Sequence, residues 1–280
     1  MITEHMTTVA NLETRYLAGG PQDAPPVIFL HDGAWGGSAD VTWGHVLPLA
    51  AEKFRVIAPD FLGYGGSAKS IRLDVSPFSF RIRHVFGLLD ELGVDRPVHL
   101  VGNSFGGSVA LRALTENDFS SRIASATTIN GTGGPWRAPA MAKLRDFDGT
   151  VAGIEALVDL LCDASSERDE QVQARYRWAT APGHFGCMSA PHLQAPEAMR
   201  RDRPTDPYPA PLAQVDVPVF LIEGTEDVLL ERGWGKHLEA ELKNSRTETL
   251  PYRHCPNITH PEETWAMIDA FLAGQTGEAH

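Results

Sequence analysis

A short segment with glycine at each end, residues 102–106, follows directly on an apolar run over residues 97–101. The apolar run is typical of a buried strand, and a helix is expected from Phe105 onward. The two glycines let the backbone turn sharply between these elements, which predicts that Ser104 lies in a strained strand-to-helix turn. Such a turn holds a serine hydroxyl above the sheet, where the helix N-terminus faces any oxyanion that forms. The segment therefore predicts a nucleophilic serine.

Short apolar runs alternate with helical patterns along most of the chain. Such continuous apolar strands, interleaved with helices, are typical of a parallel sheet that is covered on both faces. The segments predicted as strands are residues 9–17, which hold one or two strands, 27–30, 54–58, 98–101, 123–129, 217–222 and 247–250. Helical periodicity is found over residues 80–92 and 261–272. The fold class predicted is α/β.

The sheet pattern is interrupted between residues 131 and 212, where no convincing strand is found. Helical stretches at residues 153–161 and 170–178 are followed by a proline-rich passage over 204–211. An insertion between two sheet strands predicts a helical cap over the carboxyl ends of the strands, where open α/β sheets bind ligands. The predicted division is a core over 1–131, a cap over 132–212, the rest of the core over 213–275 and a polar tail over 276–280.

The composition limits the classes of function. A chain of 280 residues is long enough for one large α/β domain with a cap. The formal net charge of -12 opposes non-specific binding to nucleic acid. Three widely separated cysteines without CxxC spacing favour neither a disulfide framework nor a metal site. No apolar run approaches the roughly 18 residues of a membrane span. We expect a cytoplasmic protein without metal or cofactor that acts on a small molecule.

A nucleophilic serine needs a general base, and the base needs a carboxylate that orients it. In this strand–turn–helix context the acid and then the histidine follow the serine along the chain. The acid is expected after the strand at 217–222. Asp227 is favoured because it lies beyond a glycine turn, while Glu223 and Glu226 are the alternatives. A turn or capping role for Asp227 is the structural alternative.

The base is expected in the loop after the last strand. His254 lies four residues beyond Leu250 and is favoured for this role. Its competitor is His260, which directly precedes Pro261 and is better explained as a residue at the start of the final helix.

A glycine-rich loop over residues 31–37 follows the strand at 27–30. It can place a second backbone N–H opposite that of Phe105 and so complete an oxyanion hole, with Gly33 as the predicted donor. The loop lacks the Lys-Ser/Thr ending of a phosphate-binding loop. We interpret His31 as a side chain that braces this loop rather than as a general base.

Together these features resemble the α/β-hydrolase superfamily over nearly the whole chain. Within it, the chain is most similar to the meta-cleavage-product hydrolases, such as the hydroxymuconic semialdehyde hydrolases. Those enzymes cleave a carbon–carbon bond in vinylogous 1,5-diketones that ring-opening dioxygenases produce. The likeness is carried by residues 101–107, by 56–60 with 63–65, by 174–177, and by His254 with 260–262.

The resemblance implies an α/β-hydrolase fold in which Ser104 is the nucleophile, Asp227 the orienting acid and His254 the base. It also implies that Arg175 holds a carboxylate or enolate of the substrate, and that Asn103 belongs to the substrate site. A cation at the site suits an acidic protein that handles an anion, and the guanidinium fork matches a carboxylate. A helix-surface role is the alternative for Arg175. Homodimers are common in this family, which makes a homodimer an expectation here.

The chain departs from the family pattern at three places. Residues 31–36 read His-Asp-Gly-Ala-Trp-Gly, where the family has His-Gly-x-Gly-Pro-Gly. Thr42 stands at the position of a family asparagine, and Cys255 replaces the tryptophan that follows the catalytic histidine. These changes predict a reshaped substrate pocket that includes Asp32, Ala34, Trp35, Thr42 and Cys255.

Two functions other than C–C hydrolysis remain open at this stage. The same oxyanion hole serves esters and lactones, so the fold and triad cannot separate them from a diketone. A ligand-binding receptor that retains the triad with little turnover is the second alternative, and the intact triad argues against it. Dehalogenases and epoxide hydrolases of this fold are disfavoured, because they carry aspartate where Ser104 stands.

Overall fold

The structure, a computed structural model, describes residues 1–192 and 205–276. Its strands, in chain order, are β1 (Thr3–Val9), β2 (Leu12–Gly19), β3 (Pro26–Leu30), β4 (Arg55–Pro59), β5 (Val98–Asn103), β6 (Ile123–Ile129), β7 (Val219–Gly224) and β8 (Ser245–Leu250). They form one sheet in the order β1-β2-β4-β3-β5-β6-β7-β8. Pairing is antiparallel for β1–β2 and β2–β4 and parallel from β4 to β8, which confirms the predicted α/β class.

The helices cover both faces of this sheet and fill its long connections. In chain order they are α1 (Ala39–Trp43), α2 (Leu47–Ala50), α3 (Pro77–Glu91), α4 (Phe105–Ala113), α5 (Val151–Leu161), α6 (Arg168–Ala179), α7 (His184–Ser189), α8 (Trp234–Glu241), α9 (Pro256–Thr259) and α10 (Pro261–Thr276). Short 3₁₀ helices lie at Ser120–Arg122, Pro139–Arg145, Ala190–His192 and Ala210–Gln214. No helix of the described ranges is long and apolar enough to cross a membrane.

The opening of the chain is a two-stranded hairpin. The prediction of one or two strands over residues 9–17 covers most of β2 and the turn at Ala10 and Asn11 (φ of 47° and 66°), but it includes only the last residue of β1. Most of β1 is exposed to solvent, so it lacks the apolar pattern on which strand prediction depends.

The two faces of the sheet carry separate apolar cores. Successive side chains of β3 point to opposite faces, as the pleat requires. Ile28 and Leu30 join the core formed with α3 and α4, whereas Val27 and Phe29 join the core that includes Trp43. All four strand residues are fully buried, and this fixes the register of β3 in the middle of the sheet.

The connection between β6 and β7 contains α5, α6 and α7, and its described residues contribute no strand to the sheet. It packs on α1 and on the loop that follows β4: Gln171 donates to the carbonyl of Val41, and His184 contacts the carbonyl of Gly63. The predicted helices at 153–161 and 170–178 correspond to α5 and α6. The division into core and cap stays a prediction, and residues 277–280 of the predicted tail lie outside the described residues.

Candidate active site

Ser104 lies alone between the end of β5 and the start of α4, with φ 55° and ψ -116°. The neighbouring glycines are required by close backbone approach. A Cβ on Gly102 would lie 2.3 Å from the carbonyl of Gly106, and one on Gly106 would lie 2.1 Å from the carbonyl oxygen of Leu30. The Ser104 N–H donates to Ile129 at 2.8 Å, which anchors the turn to β6. Surrounding contacts thus hold the serine in a conformation that costs about 1–3 kcal/mol.

His254 connects Ser104 to Asp227. Its Nε2 lies 2.7 Å from the Ser104 Oγ, and its Nδ1 lies 2.7 Å from Asp227 Oδ2. A carboxylate at Nδ1 favours the tautomer with the proton on that nitrogen, so Nε2 is free to accept the serine proton. The histidine and aspartate side chains are 1% and 2% exposed. This arrangement can activate the hydroxyl for attack on a carbonyl.

The other candidates for the orienting acid, Glu223 and Glu226, and for the general base, His260, contact groups other than Ser104. Glu223 accepts hydrogen bonds from the N–H groups of Gly233 and Gly235 at the start of α8. Glu226 is exposed, and its backbone N–H donates to the carbonyl of Tyr252. His260 stacks on the Tyr252 ring with centroids 3.6 Å apart. Among the predicted candidates, only Asp227 and His254 meet at Ser104.

The His254 backbone is held by two asparagines. Asn103 Nδ2 donates to the His254 carbonyl at 3.1 Å, and Asn130 Nδ2 donates to the same oxygen at 3.0 Å. Asn130 Oδ1 also accepts from Gly224 at 2.8 Å, which ties the histidine loop to the end of β7. Asn130 was not predicted. The sequence does contain a signal for it, because Asn130 directly follows an apolar strand and asparagine tolerates the left-handed backbone that this position adopts (φ 48°).

Two predicted substrate contacts are structural instead. Asn103 is fully buried and uses its amide on backbone carbonyls, as described above. Cys255 is also fully buried, and its thiol donates to Asn103 Oδ1 at 3.2 Å. Burial raises the pKa of the Cys255 thiol, which keeps it protonated as a donor. The expectation that these side chains line the pocket is therefore corrected: they hold the histidine loop.

The predicted oxyanion loop is fixed by His31. Its Nε2 accepts from the N–H of Phe61 at 2.9 Å, so its Nδ1 carries the proton and donates to the Asp32 carbonyl at 2.6 Å. Burial lowers the pKa of His31, which keeps the ring neutral. Because the carbonyl and the N–H of a trans peptide point in opposite directions, this bond fixes the direction of the Gly33 N–H. The bracing role predicted for His31 agrees with this geometry.

Gly33 packs directly against the first residue of α4. A Cβ at this position would lie 2.7 Å from Phe105 Cβ. We therefore expect Gly33→Ala to displace the loop and to lower kcat about 10²-fold, the effect of losing one oxyanion donor. Steady-state kinetics would measure this loss. Gly274→Ala is the matched control, because a Cβ there meets nothing within 4 Å. Unchanged kcat in Gly33→Ala would contradict the displacement of the loop that this contact predicts.

Arg175 and Asp32 form a buried ion pair beneath this loop. Arg175 Nη2 lies 2.8 Å from Asp32 Oδ2, and Nη1 lies 3.2 Å from Oδ1. Thr42 Oγ1 donates to Oδ2 at 2.6 Å, and Ala34 N–H donates to Oδ1 at 2.9 Å. Burial opposes ionisation of Asp32, but the adjacent guanidinium outweighs it and holds the pKa of Asp32 below its usual range. The pair is thus fully ionised.

This geometry differs from the expectation that Arg175 holds a substrate anion. The Asp32 carboxylate occupies the terminal nitrogens that a substrate carboxylate would need. Thr42, also predicted as a pocket residue, has its hydroxyl bound to the same carboxylate. Trp35 donates through Nε1 to the carbonyl of Leu144 at 3.0 Å and packs against Phe147. The contacts of Arg175, Thr42 and Trp35 thus hold the loop over residues 31–37 in place.

A cavity of about 530 Å³ opens in front of the serine. Four predicted site residues line it, namely Ser104, Phe105, Gly33 and Ala34. The other walls are largely apolar and come from the core and from the connection between β6 and β7; they include Phe78, Met141, Leu144, Met188 and Leu230. Two further lining residues carry charge, Arg137 and Arg145. No group of three or more potential metal ligands occurs in the described residues.

Comparison with known proteins places the chain in a family. It belongs to the alpha/beta hydrolase family, whose model matches residues 27–267. The protein is thus an enzyme of the hydrolase class, and its relatives include meta-cleavage-product hydrolases.

Two of these relatives are named for their activity. The 2-hydroxy-6-oxo-6-(2'-aminophenyl)hexa-2,4-dienoic acid hydrolase of Metapseudomonas resinovorans is 27% identical over 275 residues, covering 96% of this chain and 91% of the relative. The 2-hydroxy-6-oxo-2,4-heptadienoate hydrolase of Pseudomonas putida is 30% identical over 188 residues, covering 64% and 67%. The solved 2-hydroxy-6-oxo-6-phenylhexa-2,4-dienoate hydrolase of Rhodococcus sp. strain RHA1 has a TM-score of 0.82, 24% identity and coverage of 96% and 97%. This last similarity supports the fold.

Proposed function

We propose that the protein is a serine-dependent hydrolase that cleaves a carbon–carbon bond in a vinylogous 1,5-diketone. The observation that carries the proposal is the pair of 2.7 Å hydrogen bonds that link Ser104, His254 and Asp227 in front of an apolar cavity. Two relatives are named as hydrolases of 2-hydroxy-6-oxo-dienoates, and one of them aligns with nearly the whole chain.

The proposed reaction begins at the ketone carbonyl. His254 accepts the hydroxyl proton as the Ser104 oxygen attacks, and Asp227 stabilises the imidazolium that forms. The N–H groups of Phe105 and Gly33 hold the oxyanion. Collapse of this intermediate breaks the C–C bond, and the carbon fragment leaves as a dienolate that takes the proton back from His254. Water, deprotonated by His254, then releases the acid from Ser104.

A second candidate is hydrolysis of a carboxylic ester or a lactone. It uses the same steps with an alkoxide as leaving group. The observation that favours it is the Arg175–Asp32 pair, because an arginine already neutralised by an internal carboxylate is not available to a dienoate.

The two candidates are separated by kcat/KM values measured on one preparation. The substrates are a 2-hydroxy-6-oxo-dienoate, its carboxamide, and a short-chain aryl ester. A preference of about 10³-fold for either dienoic compound over the ester, or about 4 kcal/mol, supports C–C hydrolysis. The reverse preference supports the ester or lactone. Negligible turnover of all three substrates, together with tight binding of one of them, would contradict both and indicate a receptor.

A further inference from the structure

We propose that Arg137 and Arg145 form an anion subsite in the cavity at Ser104, and that the acyl part of the substrate ends in a carboxylate held there. Both arginines line this cavity together with Ser104. The inference rests on the proposed function, because it names the substrate class of the same cavity. It applies to a ketone and to an ester alike, since in both reactions the acyl part is the portion that stays on the serine.

The first support is the lack of an acidic partner for these two cations. Among the described residues, no carboxylate oxygen lies within 4.0 Å of a side-chain nitrogen of Arg137 or Arg145. The neighbouring Arg112 differs, because its terminal nitrogens lie 2.8 Å and 2.7 Å from the carboxylate oxygens of Asp206. The chain has 36 acidic residues and 24 basic ones, so acids are not scarce. Two cavity arginines that no acid of the described ranges neutralises indicate a site for an anion from outside the protein.

The second support is the repulsion between neighbouring cations. Partial burial lowers the pKa of Arg137, and the guanidinium groups of Arg145 and Arg112 lower it further. All three influences disfavour the charged form, but the arginine stays protonated at neutral pH because its ordinary pKa lies above about 12. The charges are therefore held close together and repel one another, and a bound carboxylate would relieve that repulsion.

The third support is the placement of the subsite relative to the nucleophile. A Cβ on Gly131 would lie 2.4 Å from the carbonyl oxygen of Ser104. One on Gly134 would lie 3.3 Å from Nη2 of Arg112 and 4.0 Å from Nη2 of Arg137. Since Arg112 follows Ser104 by about two turns of α4, the guanidinium of Arg137 is displaced from the serine along this helix. A short acyl chain can therefore extend between the scissile carbonyl and the arginine.

The side of the serine on which the cavity lies favours the acyl part over the leaving group. His254 protonates the leaving group, so that fragment must lie within reach of its Nε2. His254 is not among the described residues that line the cavity, whereas Ser108, one turn further along α4, is. The rest of the wall is largely apolar and includes Phe78, Met141 and Leu230. The subsite thus fits an acyl group with an apolar chain or ring and a terminal carboxylate.

The experiment compares two substrates with the same chain length and leaving group, a 4-nitrophenyl adipate monoester with a free carboxylate and its terminal carboxamide. If only C–C hydrolysis occurs, two 2-hydroxy-6-oxo-dienoates whose 6-substituent ends in a carboxylate or a carboxamide replace them. We expect kcat/KM of the natural protein to favour the carboxylate about tenfold or more. Arg137→Gln/Arg145→Gln should remove that preference and leave the carboxamide within about threefold of its natural value. A natural protein that prefers the carboxamide, or an unchanged ratio in the double variant, would overturn the proposal.

Arg83→Gln is the matched control for net charge. Arg83 is an exposed arginine of α3 that does not line the cavity. Its removal should leave the carboxylate-to-carboxamide ratio within about twofold of the natural value, because solvent screens distant charges. Arg137→Gln makes the same change in net charge and should lower the ratio about threefold or more. An equal fall in both variants would assign the preference to the overall charge and overturn the proposal.

A second pair of esters carries the charge on the leaving group. The hexanoate esters of 4-hydroxybenzoate and of 4-hydroxybenzamide share a neutral acyl chain, and a dienoate with its carboxamide takes their place for C–C hydrolysis. The double variant should change the kcat/KM ratio of this pair by less than about threefold. A larger fall here than for the first pair would place the anion in the leaving group and overturn the assignment to the acyl part.

A binding measurement keeps the test separate from catalysis. Isothermal titration of Ser104→Ala with the uncleaved adipate pair should give a Kd for the carboxylate about tenfold or more below that for the carboxamide. The difference should vanish in Ser104→Ala/Arg137→Gln/Arg145→Gln. This result would support the subsite even if the natural protein hydrolysed none of the substrates, in which case only the proposed function would fail. Equal Kd values in Ser104→Ala would contradict the subsite.

The stability of the double variant separates binding from a structural role. Because the substitutions break no ion pair within the described residues and remove like charges, the Tm of Arg137→Gln/Arg145→Gln should equal that of the natural protein or exceed it. A Tm lower by several degrees, together with an unchanged substrate ratio, would assign the two side chains a structural role and overturn the proposal.

Discussion

Ser104→Ala is expected to lower kcat by about 10⁴-fold or more, because it removes the atom that attacks the carbonyl. The fold should persist, since the backbone of the turn is held by Gly102, Gly106 and the bond to Ile129 rather than by the hydroxyl. Single-turnover and steady-state kinetics would measure the loss, and thermal unfolding would check the fold.

Ser108→Ala is the matched control for this experiment. Ser108 lines the same cavity one turn further along α4, and its hydroxyl accepts from the N–H of Gly133 at 3.1 Å. Loss of one such bond costs about 1 kcal/mol, so kcat should change by less than about tenfold. If Ser104→Ala retained activity comparable to that of Ser108→Ala, Ser104 would not be the nucleophile.

Asp227→Asn is expected to lower kcat by about 10⁴-fold. An asparagine amide that faces His254 Nδ1 donates a hydrogen bond instead of accepting one. It therefore favours the tautomer with the proton on Nε2, which cannot accept the proton of Ser104. The substitution is nearly isosteric, and the bond from the N–H of Leu229 to Asp227 Oδ1 can be kept. The loss should thus fall on kcat rather than on stability.

Glu223→Gln is the control for the acid. Its carboxylate accepts two backbone N–H groups at the start of α8, next to the positive end of a helix. We expect a lower Tm and a kcat within about tenfold of the natural value. The opposite pattern, with activity lost in Glu223→Gln and retained in Asp227→Asn, would move the role of the acid to Glu223.

The strand-to-helix turn at Ser104 was predictable from the sequence because its determinants are local. An apolar strand, two glycines that the backbone needs, and a following helix all lie within a short stretch of chain. Because the acid and then the histidine follow the serine along the chain, the candidates lay in two loops, one after the strand at 217–222 and one after the last strand. Strand β1 was only partly predicted, because its side chains face solvent and carry no apolar alternation.

The surroundings of Arg175 could not be predicted in the same way. Its role had been carried over from a family resemblance, while its partner Asp32 lies 143 residues away in the chain. Only the folded structure brings the two together. Asn103 and Cys255, 152 residues apart, are a similar case: each is a plausible pocket residue alone, and their contact shows that they support the histidine loop. The sequence shows the departures from the family pattern at residues 32, 42 and 255. Their effects depend on contacts with residues distant in the chain, which only the folded structure reveals.

Ser104, activated by His254, is expected to form a covalent acyl intermediate. The most direct test is treatment of the protein with a fluorophosphonate, an electrophile for activated serines, followed by mass spectrometry of the intact protein and of its peptides. One adduct per chain, located on Ser104 and absent from Ser104→Ala and from a His254→Ala variant, is the predicted result. Adduct formation at another residue with parallel loss of activity, or full labelling of Ser104 without His254, would contradict the role of Ser104 as a nucleophile activated by His254.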